Sequence, residues 1–205
     1  MNENPENSIP PARPASPLTS FMPPKPVVII GLMGSGKTSI GKRIAKRFDL
    51  PFSDSDQEVE AAAGCSIGDI DSLFGEGAMQ DGEYKVISRL LNQQTQVVAT
   101  GNFSFVRDNT RALIKEKAIS VWLKADLQTL LLRVTCRKGR PLLEVGKEEE
   151  TLSKMMEEYY PIFENADVCV KTYDEPANVT VDRTIIAMSE FIKKEYPDYH
   201  ILKSV

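Results

Sequence analysis

Val27-Val28-Ile29-Ile30-Gly31-Leu32-Met33-Gly34-Ser35-Gly36-Lys37-Thr38-Ser39-Ile40-Gly41, residues 27–41, is the stretch whose reading decides how this chain folds. The first four residues are β-branched and apolar, as a strand covered on both faces requires. Residues 31–38 then match G-x-x-x-x-G-K-[ST], and the positions after them place Ile40, Ile44 and Phe48 on one helical face. Strand, glycine-rich loop and helix in that order are the context in which this motif binds nucleotide phosphates. The glycines let backbone N–H groups of Gly34, Ser35 and Gly36 face phosphate oxygens at a helix N-terminus, with Ser39 in its first turn. Lys37 is placed for the outer phosphates and the Thr38 hydroxyl for Mg²⁺. The pattern therefore calls for a nucleoside triphosphate and Mg²⁺.

Outward from this stretch, the chain of 205 residues is 26% charged and 41% hydrophobic, ordinary for one globular domain. The first 26 residues hold eight prolines and no apolar periodicity, and read as a disordered arm. Residues 27–195 are expected to form a single domain and 196–205 a frayed tail. The acidic, polar start Met1-Asn2-Glu3-Asn4-Pro5-Glu6 is unlike a secretory leader, and no apolar run is long enough to span a bilayer, so a cytoplasmic protein is expected. A net charge of −4 with scattered bases gives no nucleic-acid surface. Cys65, Cys136 and Cys169 lie in no metal-ligand spacing and read as reduced, mostly buried thiols. His200, the single histidine, sits in the tail, which removes histidine-based catalysis.

Further strands are expected at 50–56, 96–100, 118–123 and 167–170. Helices are expected at 57–63, 66–74, 82–93, 110–115, 126–135, 149–159 and 179–194. Five strands alternating with helices give an α/β fold: a three-layer α/β/α arrangement on a central five-stranded parallel sheet. Asp54 and Asp56 fall at the end of the second strand, where period-2 spacing points both the same way, toward the edge at which such sheets bind ligands. One suits the Mg²⁺ shell, the other a hydroxyl to be oriented or deprotonated, and phosphoryl transfer needs little more. Arg137, Lys138 and Arg140 precede Pro141 in a charged segment from 136 to 150, which reads either as a lid carrying an arginine to the phosphates or as a solvated basic loop.

The succession of motifs resembles the shikimate kinase family across about residues 27–190. It is carried by G-L-M-G-S-G-K-T-S-I-G at 31–41, F-S-D-S-D-Q-E-V-E at 52–60, G-C-S-I-G-D-I at 64–70, G-E at 75–76, Glu83, V-W-L at 121–123, R-P-L-L at 140–143 and Y-P-I-F-E-N-A-D at 160–167. The resemblance implies ATP-dependent phosphorylation of a hydroxyl on a small cyclic polyol acid, shikimate, by a compact monomer. It implies Lys37, Asp56 and Arg140 as catalytic residues, Gly34 to Ser39 and Arg140 around ATP, Thr38 and Asp54 at the metal, and Asp56, Gln80, Gly101 and Tyr159 at the acceptor.

The chain departs from the family on the acceptor side. Met79-Gln80 stands for Phe-Arg, Tyr159 for a second arginine, Gly101-Asn102-Phe103 for three glycines, and Asp71 for an aromatic residue. Both carboxylate-binding arginines of the family pattern are thus replaced, while the nucleotide side is whole. Two alternatives stay open from this asymmetry: the same transfer to a different, non-carboxylate polyol, or a non-catalytic ATP-binding regulator. Arg107 or Arg111 is positioned in sequence to replace a lost anchor. A GTPase is disfavoured, since no Asn-Lys-x-Asp motif follows the later strands.

Overall fold

A computed structural model describes residues 21–135 and 146–199. Its five strands, β1 (Val27–Ile30), β2 (Phe52–Asp54), β3 (Val97–Ala99), β4 (Ile119–Ala125) and β5 (Val168–Thr172), form one parallel sheet in the order β2-β3-β1-β4-β5. Pleat alternation divides the strand residues between two cores. Val27, Ile29, Ile119, Val121, Leu123, Val168 and Val170 face α1 (Lys37–Phe48) and α7 (Ala177–Glu195). Val28, Ile30, Val98 and Trp122 face α3 (Ile67–Leu91), α4 (Asp108–Lys117), α5 (Leu127–Thr135) and α6 (Glu148–Phe163). The three-layer α/β/α architecture expected from sequence is the one observed.

Local boundaries differ where a side chain overrides the periodic pattern. β2 stops at Asp54 because that residue caps α2 (Ser55–Ala63), its Oδ1 accepting from the Asp56 amide at 3.2 Å. Asp56 therefore lies in the first turn of a helix, and strand alternation is not what aligns it with Asp54. The expected helices at 66–74 and 82–93 are both present within α3: the non-helical Gly75 (φ 80, ψ 165) ends the first, which a reciprocal Ser66–Asp69 capping box starts, and the second begins earlier than expected. α6 continues through Pro161 to Phe163 instead of stopping at 159. Proline removes one helical donor, but Tyr160 and Phe163 pack edge-on against Trp122 at 5.0 and 5.9 Å and hold the last turn.

The proline-rich composition extends further than the arm does. Phe21, Pro23 and Pro26 are buried, and the Phe21 ring packs on Phe48 with centroids 4.9 Å apart. The Pro26 carbonyl accepts from the Ile119 amide at 2.8 Å, so the sheet is in effect already under way there. At the other end Tyr196 and Tyr199 pack against the α1/α7 core, so 196–199 is not frayed. The remainder of the proposed arm and tail, His200 included, lies outside the described residues, as do Cys136 and most of the 136–150 segment. Cys65 is half-buried and Cys169 exposed, which corrects the expectation of buried thiols; both are free.

Phe21→Ala is expected to cost about 3–5 kcal/mol, as for other fully buried phenylalanines. On a chain of this size that lowers Tm by on the order of 10 °C, readable in a thermal scan.

Candidate functional site

The sheet order sets β2, β3 and β1 side by side, so their carboxyl ends open into one cleft of about 1850 Å³. β1 delivers the phosphate loop, β2 the Asp54–Asp56 turn, and β3 the Thr100-Gly101-Asn102-Phe103 segment. Gly36 takes φ 101 as it caps α1, a left-handed conformation that a side chain would strain, and it turns the loop into the helix N-terminus. Gly34, Ser35, Gly36, Lys37, Thr38 and Ser39 all line the cleft.

The Thr38 hydroxyl donates to Asp54 Oδ2 at 2.8 Å, while the other carboxylate oxygen caps α2. Two oxygen donors, one neutral and one anionic, thus meet beside the helix N-terminus. That donor set suits Mg²⁺, which prefers oxygen, keeps several waters and takes few protein ligands when phosphates are present. The Lys37 ammonium donates to the carbonyls of Gly31 (2.7 Å) and Leu32 (3.3 Å) and to Asn102 Oδ1 (3.0 Å). Asn102, which replaces a family glycine, therefore tethers the β3 loop to the phosphate-loop lysine, a contact that motif reading did not anticipate.

In the same cleft two acidic groups crowd around one glycine. A Cβ at Gly101 would stand 2.5 Å from both Asp56 Oδ1 and Glu83 Oε1, so only glycine lets the two carboxylates approach the β3 loop. The Gly101 amide donates to Ser55 Oγ at 3.0 Å, fixing this approach. Burial raises the Asp56 pKa to about 6, with Asp54 and Glu83 adding to the rise and Lys37 opposing it. Burial also raises Glu83, against the Ser104 hydroxyl that donates to it at 2.7 Å and the positive charge of Arg107. A carboxylate ionised above pH 6, beside a lysine and a Thr–Asp oxygen pair, can accept a proton from a hydroxyl and hold that hydroxyl toward the phosphate loop.

The remaining acceptor-side expectations divide. Tyr159 lines the cleft and meets Phe103 edge to face at 5.6 Å, so the two aromatic replacements form one apolar wall. Gln80 does not itself line the cleft; its amide donates at 2.6 Å to Oε1 of Glu76, which does. Asp71 lines the rim. Arg140, with Arg137 and Lys138, lies outside the described residues.

Sequence reading also missed Arg133, whose Nη1 donates to the carbonyls of Gly34 and Ser35, both at 3.3 Å, and whose Nη2 donates to Tyr173 O. It braces the phosphate loop from α5. Its only sequence signal is a basic residue in the last turn of an otherwise apolar helix, which tertiary contact alone makes meaningful.

Comparison with known proteins agrees with this geometry. The family model described as "Shikimate kinase" matches residues 33–189. A shikimate kinase of Caulobacter vibrioides is 47% identical over 166 residues, covering 81% of this chain and 83% of that protein. One of Rhodopseudomonas palustris is 43% identical over 168 residues, covering 82% and 83%. A shikimate kinase from Acinetobacter baumannii, solved in complex with shikimate, superposes with a TM-score of 0.72 at 26% identity, covering 85% of this chain and 94% of that one. With the family model matched over residues 33–189 and relatives 43–47% identical over more than four fifths of its length, the chain belongs to the shikimate kinase family.

Proposed function

We propose that this protein transfers the γ-phosphoryl group of ATP to a ring hydroxyl of shikimate, giving ADP and 3-phosphoshikimate. The observation that carries the reading is the meeting of Thr38, in the phosphate loop that follows β1, with Asp54 and Asp56, which follow β2 on the far side of β3. The loop amides and Lys37 bind the outer phosphates, and Arg133 keeps the loop in shape from behind. Mg²⁺, held by the Thr38 hydroxyl with Asp54 beside it, neutralises charge on the phosphate oxygens when bound. Asp56 orients the acceptor hydroxyl and takes its proton as the new O–P bond forms and the bond to ADP breaks. Burial, with Asp54 and Glu83 close by, keeps Asp56 a stronger base than a solvated aspartate. Phe103 and Tyr159 give the ring an apolar wall. Arg140, in the segment joining α5 to α6, is the lid cation of this reading.

An ATP-dependent reaction fits the cytoplasm. Among the described residues no helix is long and apolar enough to cross a membrane. The test is steady-state turnover: ADP release from ATP and Mg²⁺ that depends on shikimate, with phosphorylated product identified by mass. The expected kcat is within the ordinary range of about 1–100 s⁻¹ for kinases. Shikimate-independent ADP release, or none, would reject the reading.

A further inference from the structure

Among the described residues, the acceptor end of the cleft is walled by acids, Asp56, Glu83 and Glu76, and the guanidinium that reaches it is that of Arg107. Arg107 immediately precedes α4, in extended conformation (φ −77, ψ 132), which carries its side chain from the β3 loop into the cleft. That side chain is 22% exposed, and its Nε is buried with no hydrogen-bond partner among the described residues. Its Nη2 lies 3.6 Å from Glu76 Oε1, beyond hydrogen-bond range, and Glu76 is 74% exposed, so this ion pair is weak and solvent-screened. Buried donors are nearly always satisfied, so an orphaned one on a cleft-lining side chain is available to an acceptor that a ligand brings.

Arg111, the other cation of this segment, is in the opposite situation. It donates to the carbonyls of Phe105 (3.2 Å) and Val106 (2.9 Å) and to Asp108, and it does not line the cleft. Arg111 is committed to holding the loop that presents Arg107.

We propose that Arg107 binds the carboxylate of the acceptor, through Nε and Nη2, in the role left vacant by Gln80 and Tyr159. Nε and one Nη of a guanidinium lie on a common edge with parallel N–H bonds, the arrangement that takes both oxygens of a carboxylate. The surrounding acids repel an anion elsewhere in this end of the cleft, so the carboxylate is confined to Arg107 and the hydroxyls are left to face Asp56. Charge pattern therefore orients the ring as well as selecting it. This proposal rests on the reading of the cleft as a shikimate-phosphorylating site.

The test compares shikimate with its uncharged carboxamide on wild type, Arg107→Gln and Arg107→Lys, by steady-state kinetics and by calorimetric titration. Loss of a charge-assisted carboxylate contact corresponds to about a 10- to 150-fold change. Wild type should prefer the acid by that factor. R107Q should raise KM for shikimate by the same factor while changing the carboxamide KM by less than about 3-fold, and R107K should recover part of the loss. Equal treatment of acid and amide by the wild type, or equal losses for both in R107Q, would overturn the anchor while leaving the kinase reading intact. The wild-type comparison needs no variant and so survives an Arg107 variant that fails to fold. Calorimetric binding of shikimate that disappears in R107Q, without any phosphorylated product, would support the anchor and reject the kinase reading. Absence of both binding and product in the wild type would reject both.

Discussion

Asp56→Asn is expected to lower kcat by about 10²–10⁴-fold, the usual worth of a positioned general base, and at the same time to stabilise the free protein above neutral pH. The two effects have one cause. Burial, then the neighbouring Asp54 and Glu83, raise the pKa of Asp56 from 3.8 to about 6, so the folded state holds this proton more tightly than the unfolded chain does. The favourable contribution of the protonated form is complete below pH 3.8 and is lost as pH rises through about 6. At pH 8 the wild type carries the full cost of an ionised, crowded carboxylate, which asparagine does not.

D56N should therefore melt higher than wild type at pH 8, by on the order of 5 °C, with the gap closing toward pH 4. Thermal scans across that range check it, and a variant that melts lower at pH 8 would show that Asp56 is not under electrostatic strain. In the wild type, kcat/KM for the acceptor should rise with pH through about 6 and level off by neutrality, since the base must be ionised to act.

Lys37→Met is expected to reduce kcat by about 10³-fold, comparable with removal of a donor that meets charge developing in a transition state. Methionine retains the length and apolar stem of lysine but cannot donate to phosphate oxygens. The substitution also leaves Gly31 O, Leu32 O and Asn102 Oδ1 without this donor, so Tm should fall, opposite to D56N. A second readout separates charge from architecture. Lys37 holds the Asp56 pKa down, so K37M should move it further above 6. Carboxyl-carbon NMR titration of the two proteins measures that shift. An unchanged Asp56 titration would mean that the ammonium is screened from the acceptor end.

Much of the molecule is legible in its residues because the relevant signals are local. β1, the phosphate loop and α1 are contiguous, and each is specified by neighbours within a turn or a strand length: β-branched residues, glycines at positive φ, and apolar positions at helical spacing. The nucleotide side inherits this legibility, since Gly34 to Ser39 form one uninterrupted segment. The errors arise where one side chain reverses a periodic expectation. Asp54 ends its strand by capping a helix, Trp122 holds a helix turn past Pro161, and Phe48 recruits Phe21 from what composition assigns to an arm.

The acceptor side could not be read in the same way, because its parts lie far apart in the chain. Gln80 and Tyr159 both stand at arginine positions of the motif pattern, yet Gln80 is taken up by the cleft-lining Glu76 while α6 brings Tyr159 against Phe103. Arg107 and Arg111 are alike in sequence, and only backbone carbonyls of the folded β3–α4 loop take up Arg111 and leave the Arg107 Nε buried without a partner. By itself the sequence determined the parallel α/β sheet, the phosphate loop and the ATP-dependent chemistry, since short-range sterics and periodicity suffice for these. Tertiary structure alone decided the ionisation of Asp56 and the choice of Arg107 over Arg111, because burial and the distance between charges exist only after residues far apart in sequence are packed together.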